Sequence, residues 1–422
     1  MTQHRLLFLS YYYAPHHAVA SIRSTNLARY LADLGWQVTV VTPDPCLIRQ
    51  HDATLQSIPE KPENLRIVPT GHRYRFLFPS GLKCTNSGLP RLAGGLARVI
   101  ARRLGIERER GWLQPARCEA ERLLSQGSFN AILSSGGPWA SHRLASDLNR
   151  KTRIPCILDY RDLWCGNPHT HAHQSEKEMR LERNTRAAVT AVTAVSRSLL
   201  SVQSQLFRDD KPCAVITNGY APQETVQEPT LRTRPFVLLY AGRLYPPDSS
   251  FTPFALAFAE LKRRAPGKDI QLHYIGPSTD HVRQVLDALA PKEGTICEGR
   301  VPRAEALRRL QQCSISLVST SDKAVANSPE AGIITGKIFE IFAARKPYLA
   351  IAPQNSDLHE IICTAGGGRA FIAQDIYGIA NYLESVMRGS PPPYMSPEKF
   401  AWSNLARDMA SVLENVVRSK RD

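Results

Sequence analysis

Lys337 and Glu340 stand three apart in the otherwise apolar stretch GIITGKIFEIFAARKPYLAIA (332–352). On a helix this spacing puts both on one face beside Ile341 and Ala344, and sends Phe339 and Phe342 to the opposite side, where a sheet would bury them. A plain surface ion pair, worth only about 0.3–0.5 kcal/mol, is one account of the two residues. Two features favour chemistry instead. Their face carries almost no other polar residue, and Gly336 precedes them at the helix start, where backbone N–H groups attract anions. A cation beside a helix N-terminus suits a diphosphate. A carboxylate one turn deeper suits a ribose diol, because it accepts hydrogen bonds from two hydroxyls.

Other polar residues collect where apolar runs end. HHAVASIR (16–23) and DYRDLW (159–164) bring His16, His17, Arg161 and Asp162 to strand ends, the usual address of ligand-binding groups in open α/β sheets. Asp162 or a histidine there can orient an acceptor hydroxyl. Arg161 and Asp162 read equally well as a loop ion pair. His142 follows a GGP turn and opens a helix. HTHAH (169–173) aligns three histidines, but no carboxylate or cysteine is spaced to complete a zinc site, so no metal is expected.

The elements that must hold these groups are legible as periodicity. A chain of 422 residues exceeds what one core usually supports. Apolar runs read as strands at RLLFLS, WQVTVVTP, LRIVPT, NAILSS, PCILDY, AVTAVS and AVITNG. A second series follows at FVLLYAGRL, QLHYIG, TICEGRV, SISLVST, PYLAIA and RAFIA. Between the first two runs, SIRSTNLARYLADLG repeats Ile22, Leu27, Tyr30, Leu31 and Leu34 at helical spacing before Gly35. Strand, helix and strand within about thirty residues make a βαβ unit and a parallel sheet. The fold class is therefore α/β, with two doubly wound Rossmann-like domains and a ligand expected in the crevice between their strand ends. YAPQETVQEPTLRTRP (220–235) reads as the linker. The predicted domains are 1–222 and 223–395. An amphipathic helix over 396–422 packs back toward the first.

Bulk properties narrow the partners. The 53 Lys and Arg against 38 Asp and Glu give a net charge of +15, which favours anionic partners. The excess is scattered and comes with no helix-turn-helix, finger or aromatic-rich motif, so nucleic acid is not expected. A local cluster, RLAGGLARVIARRLGIERER (91–110), lines Leu92, Leu96, Val99, Ile100 and Leu104 along one helical face, with Arg98, Arg102 and Arg103 on its flanks. It reads as an interfacial helix for an anionic membrane surface or as a core-packing helix with a solvated basic side. The nine cysteines form no CxxC pair, and neither a signal peptide nor a bilayer-spanning window is evident. Reduced thiols and a cytoplasmic location, with peripheral contact to the inner face of the plasma membrane, are the expectation.

GKIFEIFAARKPYLA resembles the donor-binding segment of family 4 glycosyltransferases, retaining enzymes of two-Rossmann (GT-B) architecture, in which Lys-x-x-Glu is followed by Ala-x-x-Lys/Arg-Pro. The resemblance runs nearly end to end. YYYAPHHAVASIRSTNLARYLADLGWQVTVVTP is similar to the family's opening, FNAILSSGGPWASHRLASDL and PCILDYRDLW to its fourth and fifth strand ends, and AVTAVSRSLL with AVITNGY to the close of its first domain. FVLLYAGRL, YIG and GRVPRAEALRRLQQCSISLVST continue in order. The resemblance implies a metal-independent hexosyltransferase without cofactor, taking a UDP- or GDP-linked nucleotide-sugar and a glycan or lipid-linked acceptor in surface polysaccharide biosynthesis. It implies that Arg243 and Lys337 hold the diphosphate, with Gly336 beside them. Glu340 would then hold the ribose, while Arg300 and Val301 flank the nucleobase. Three positions depart from the pattern. The lysine usual after AGRL is absent from YPPDSS, which holds Asp248. The glutamate usual seven intervening residues before the ribose carboxylate is Gly332. The glycine pair after the first strand is HHAVAS. A non-catalytic nucleotide-sugar or glycan binder and a sugar-nucleotide epimerase of the same architecture are the competing readings.

Overall fold

The computed structural model describes residues 4–16, 18–47, 62–73, 110–168, 175–221, 234–244, 251–321 and 325–419. His17, the basic segment up to residue 109, the histidines of HTHAH, Asp248 and linker residues 222–233 lie outside the described residues. The chain divides into two compact units. Residues 1–195, 203–216 and 405–422 form the first, and residues 196–202 and 217–404 the second.

The first unit is built on seven parallel strands: β1 (Arg5–Leu9), β2 (Gln37–Pro43), β3 (Leu65–Thr70), β4 (Ala131–Ser135), β5 (Cys156–Tyr160), β6 (Ala191–Ala194) and β7 (Cys213–Val215). Their order is β3-β2-β1-β4-β5-β6-β7. Five of them, β1, β2, β4, β5 and β6, are buried almost throughout. Central strands covered on both faces need continuous apolar runs, the pattern the sequence shows. Helix α1 (Val19–Asp33) buries Leu27 and Leu31 and stops before Gly35, whose φ of +94° suits a residue without a Cβ. Four further helices follow: α2 (Arg110–Gln126), α3 (Ala140–Thr152), α4 (Glu176–Ala188) and α5 (Arg197–Phe207), whose first six residues count with the second unit. Ser175 caps α4 by accepting from the Glu178 amide, with Glu176 and Glu178 in the positive first turn.

The second unit repeats the plan with six parallel strands: β8 (Phe236–Ala241), β9 (Ile270–Ile275), β10 (Thr295–Glu298), β11 (Ile315–Ser319), β12 (Tyr348–Ile351) and β13 (Gly368–Phe371), in the order β10-β9-β8-β11-β12-β13. Helices α6 (Thr252–Arg264), α7 (Thr279–Leu289), α8 (Arg303–Gln312), α9 (Lys337–Ala344), α10 (Asp357–Ala365) and α11 (Ile376–Met387) cover it. Alternate residues of one strand enter different cores. Leu238 and Tyr240 join Phe251, Phe254 and Tyr274, whereas Leu239 joins Phe339, Phe342 and Phe400. In both sheets the strand order reverses once, between β1 and β4 and between β8 and β11. Doubly wound folds bind ligands at that reversal, outside the carboxyl ends of the strands.

The tail departs from its predicted single helix. A 3₁₀ turn over Pro397–Phe400 precedes α12 (Trp402–Arg418), and Ala401 between them is extended. The reason is a backbone bridge: the Tyr220 amide donates to Phe400 O at 3.0 Å, and the Trp402 amide donates to Tyr220 O at 2.9 Å. Pairing with a second chain segment requires extended geometry, and this wins over helix continuation.

Candidate functional site

In the second unit, the loop after β8 sits at the sheet's reversal. Its backbone is held from several sides. The Gly242 amide donates to Ile275 O at 2.8 Å, the Tyr274 hydroxyl donates to Gly242 O at 2.9 Å, the Leu244 amide reaches Ser278 Oγ at 3.2 Å, and the Tyr240 hydroxyl donates to Arg243 O at 3.3 Å. Arg243 therefore projects an exposed side chain from a fixed backbone. Across this loop lies Lys337. A Cβ at Gly242 would stand 2.2 Å from Lys337 Cε and 3.4 Å from Nζ, so only glycine leaves room for the lysine stem. Lys337 and the AGRL loop, 95 positions apart by number, are thus neighbours.

Helix α9 carries the pair as its spacing predicts. Ile338, Phe339, Ile341 and Phe342 are buried, with Phe339 and Phe342 packed against Phe400 at ring separations of 5.9 and 5.6 Å. Lys337 and Glu340 remain half-buried on the other side. Glu340 does not pair with Lys337. Its Oε1 accepts from Arg303 Nε at 3.2 Å, with the two side chains 26% and 14% exposed, and Lys337 meets no carboxylate among the described residues. Gly336 caps the helix, but the amides of Ile338 and Phe339 are already committed to Thr335 O and Gly336 O, so they do not face an anion. Arg300 is exposed and Val301 packs at the edge of the α9 core. Gly332 is buried against the start of α5: a Cβ there would meet Leu199 Cδ1 at 2.2 Å and the Leu199 amide nitrogen at 3.2 Å. A glutamate has no space at that position. Glu330, two residues earlier, is half-buried.

In the first unit, the candidates have distinct fates. Arg161 donates through Nε to Gly136 O at 2.8 Å and through a second nitrogen to Gly137 O, clamping the GGP turn rather than pairing with Asp162. Asp162 is exposed. His16 is buried and packs edge-on against Tyr12, with ring centroids 4.9 Å apart. His142, in the first turn of α3, is fully buried with Nδ1 2.8 Å from Ser134 Oγ, and burial pushes its pKa down to about 3. It is neutral and out of solvent.

Sequence reasoning passed over the most heavily bonded carboxylate. Asp159, fully buried on β5, receives Arg23 Nε at 2.8 Å, Arg23 Nη2 at 2.6 Å, Thr193 Oγ1 at 2.8 Å and Ser135 Oγ at 3.4 Å. The same Arg23 nitrogen donates to Ile216 O at 2.8 Å. Burial alone would raise the Asp159 carboxyl. The Arg23 guanidinium and the Thr193 hydroxyl outweigh it and hold the group below the usual carboxylate range. The network ties α1, β4, β5, β6 and the chain after β7 beneath the loops that carry His16, Arg161 and Asp162. The cue was an aspartate inside the apolar run CILDY, since a fully buried aspartate demands a partner. Among the described residues no group of three His, Cys, Asp or Glu could hold a metal ion. No described helix is long and apolar enough to cross a membrane.

Residues 20–219 match the family model described as a glycosyl transferase 4-like domain. No curated protein matches the chain in sequence. Solved structures similar to it include the sucrose-phosphate synthase of Thermosynechococcus elongatus, at 13% identity and TM-score 0.56 over 99% of this chain and 97% of that one. Anabaena Alr3699/HepE in complex with UDP-glucose is similar at 15% identity and TM-score 0.53, over 98% and 97% of the two chains. The lipopolysaccharide outer core galactosyltransferase WaaB aligns at 13% identity and TM-score 0.55, over 99% of each. With the two sheet topologies, these similarities give the chain the GT-B fold.

Proposed function

We propose, for a chain whose residues 20–219 belong to the glycosyl transferase 4-like family and whose fold is GT-B, that it is a retaining, metal-independent hexosyltransferase. It would move a sugar from a UDP- or GDP-sugar to a glycan or lipid-linked acceptor of surface polysaccharide. The observation that carries the reading is the lysine stem laid across Gly242, which sets Lys337 beside the loop of Arg243 with Glu340 one turn further along α9. Fixed cations aimed at the charge that builds on a departing diphosphate lower the barrier, and one such donor contributes about 3–4 kcal/mol. In this reading Arg243 and Lys337 take the diphosphate and Glu340 takes the ribose. Arg300 and Val301 flank the base. The UDP-glucose bound by Anabaena Alr3699/HepE, on the same fold, supports a nucleotide-sugar as donor.

On the first unit, Asp162 and the His16–His17 loop would receive the acceptor, with Arg161 holding the turn beside them. The leaving phosphate takes the acceptor proton. The domain assignment goes with this reading, acceptor to the first unit and donor to the second, as does a peripheral position at the cytoplasmic membrane surface through residues 91–110.

A thermal-shift screen of UDP-, GDP-, ADP- and CDP-sugars, with chelator present, tests the donor side, because stabilisation grows with ligand concentration over Kd. Glu340→Ala should weaken nucleotide binding roughly tenfold or more, the range for hydrogen bonds to a charged group. Radiolabelled sugar must then appear on an added glycan. Label that stays on nucleotide would favour an epimerase, and nucleotide binding without release of UDP or GDP would favour a non-catalytic binder.

A further inference from the structure

We infer that Arg303 is a positioning residue for Glu340, holding one carboxylate oxygen so that the other is preset for the ribose of a nucleoside diphosphate. This rests on the donor reading above and names the group that sets its sugar recognition.

Three arginines on α8 behave differently. Arg308 binds Glu305 of its own helix at 2.7 Å, and Arg309 binds the same Glu305 at 2.6 Å and Glu298 of β10 at 2.7 Å. Arg303, at the helix start, turns to α9 and meets Glu340 Oε1 at 3.2 Å. Glu340 has no other anchor: its Oε2 takes no hydrogen bond from a described residue, and its helix neighbours Ile341 and Ala344 are apolar and buried. A glutamate has three side-chain torsions, and freezing them on binding costs affinity. A guanidinium already engaged on Oε1 meets that cost in the free protein, which is preorganisation. The pair is also sheltered enough for its geometry to persist. Arg303 is not required to touch the nucleotide.

The test is isothermal titration of the full chain with the nucleoside diphosphate that gives the largest thermal shift and with its 2′,3′-dideoxy form. Wild type should prefer the ribonucleotide by at least about tenfold, the range for hydroxyls on an ionised acceptor. In Arg303→Gln that preference should fall at least fivefold, while affinity for the dideoxy form changes less than twofold. Arg303→Lys should recover at least half of the preference, and adding Arg303→Gln to Glu340→Gln should lower it no further, because the two residues act as one unit. An unchanged preference in Arg303→Gln overturns the inference. So does an equal loss for both nucleotides, which would make Arg303 a structural or phosphate contact. If wild type binds no nucleoside diphosphate at all, the donor reading falls and takes this inference with it.

Discussion

Asp159 and Glu340 are both carboxylates met by an arginine, one in each unit, and the two pairs have opposite economies of hydrogen bonding. Arg23 grips Asp159 through two nitrogens at 2.8 and 2.6 Å, both partners are essentially unexposed, and Thr193 and Ser135 add further donors. Arg303 touches Glu340 once, at 3.2 Å, and the glutamate side chain is 26% exposed, its second oxygen taking no hydrogen bond from a described residue. The first pair has its acceptor capacity met inside the protein. The second keeps some in reserve, and Lys337 close by has no carboxylate of its own among the described residues. The contrast separates a charge that fixes a fold from one that, in the proposed reading, receives a ligand. The number of partners tells them apart better than the residue types do.

The strongest way to break this contrast is to remove one half of the closed pair. Asp159→Ala strands a buried guanidinium and should cost about 3–5 kcal/mol in urea unfolding of the first unit. A loss below about 1 kcal/mol would mean that the network is slack. Lys337→Ala should do the reverse, leaving the unfolding midpoint nearly unmoved while turnover drops by a factor on the order of 10²–10³, with a smaller change in nucleotide affinity. Equal losses in stability would make Lys337 a packing residue. A finer probe is Gly242→Ala, whose methyl group would occupy the space of the Lys337 stem. The stem is flexible and can swing away, so the fold should persist while turnover falls roughly ten- to a hundredfold through misplacement of the ammonium.

The smallest effect lies with His142. Its pKa in the folded protein is about 3 against an ordinary 6.5. The unfolded chain therefore gains a proton as pH falls through 6.5 that the folded protein refuses until about 3. The stability linked to this residue is complete above 6.5 and drains away below it, by at most about 1.4 kcal/mol per pH unit. Unfolding midpoints between about pH 7.5 and 4.5 should slope less steeply in His142→Gln than in wild type. Parallel slopes would show that the imidazole is reached by protons after all.

Much of the architecture was readable because parallel sheets buried on both faces announce themselves. Each of the thirteen strands among the described residues falls within or overlaps an apolar run such as RLLFLS or PYLAIA. Lys337 and Glu340 stand out for a similar reason, as two charges isolated on an apolar helix. Asp159 was missed because its partner, Arg23, lies 136 positions away and nothing local joins them. Arg161 and Asp162, polar residues just past the run, stand out more plainly in sequence, and Arg161 serves the turn at 136–137. Arg303 was passed over in favour of Arg300 because Glu340 meets it only once α8 and α9 have packed. The break at Ala401 was invisible for the same reason, since its cause, Tyr220, belongs to a segment far upstream.

That backbone bridge has a further consequence. Tyr220 and Ala401 stand near the entry to and exit from the second unit, and residues 203–216 before it and 405–422 after it belong to the first. The first unit is thus sewn from three stretches, and its last, 405–422, can join only after residues 217–404 of the second have been made. The stretches made first must therefore stay soluble until those late residues arrive.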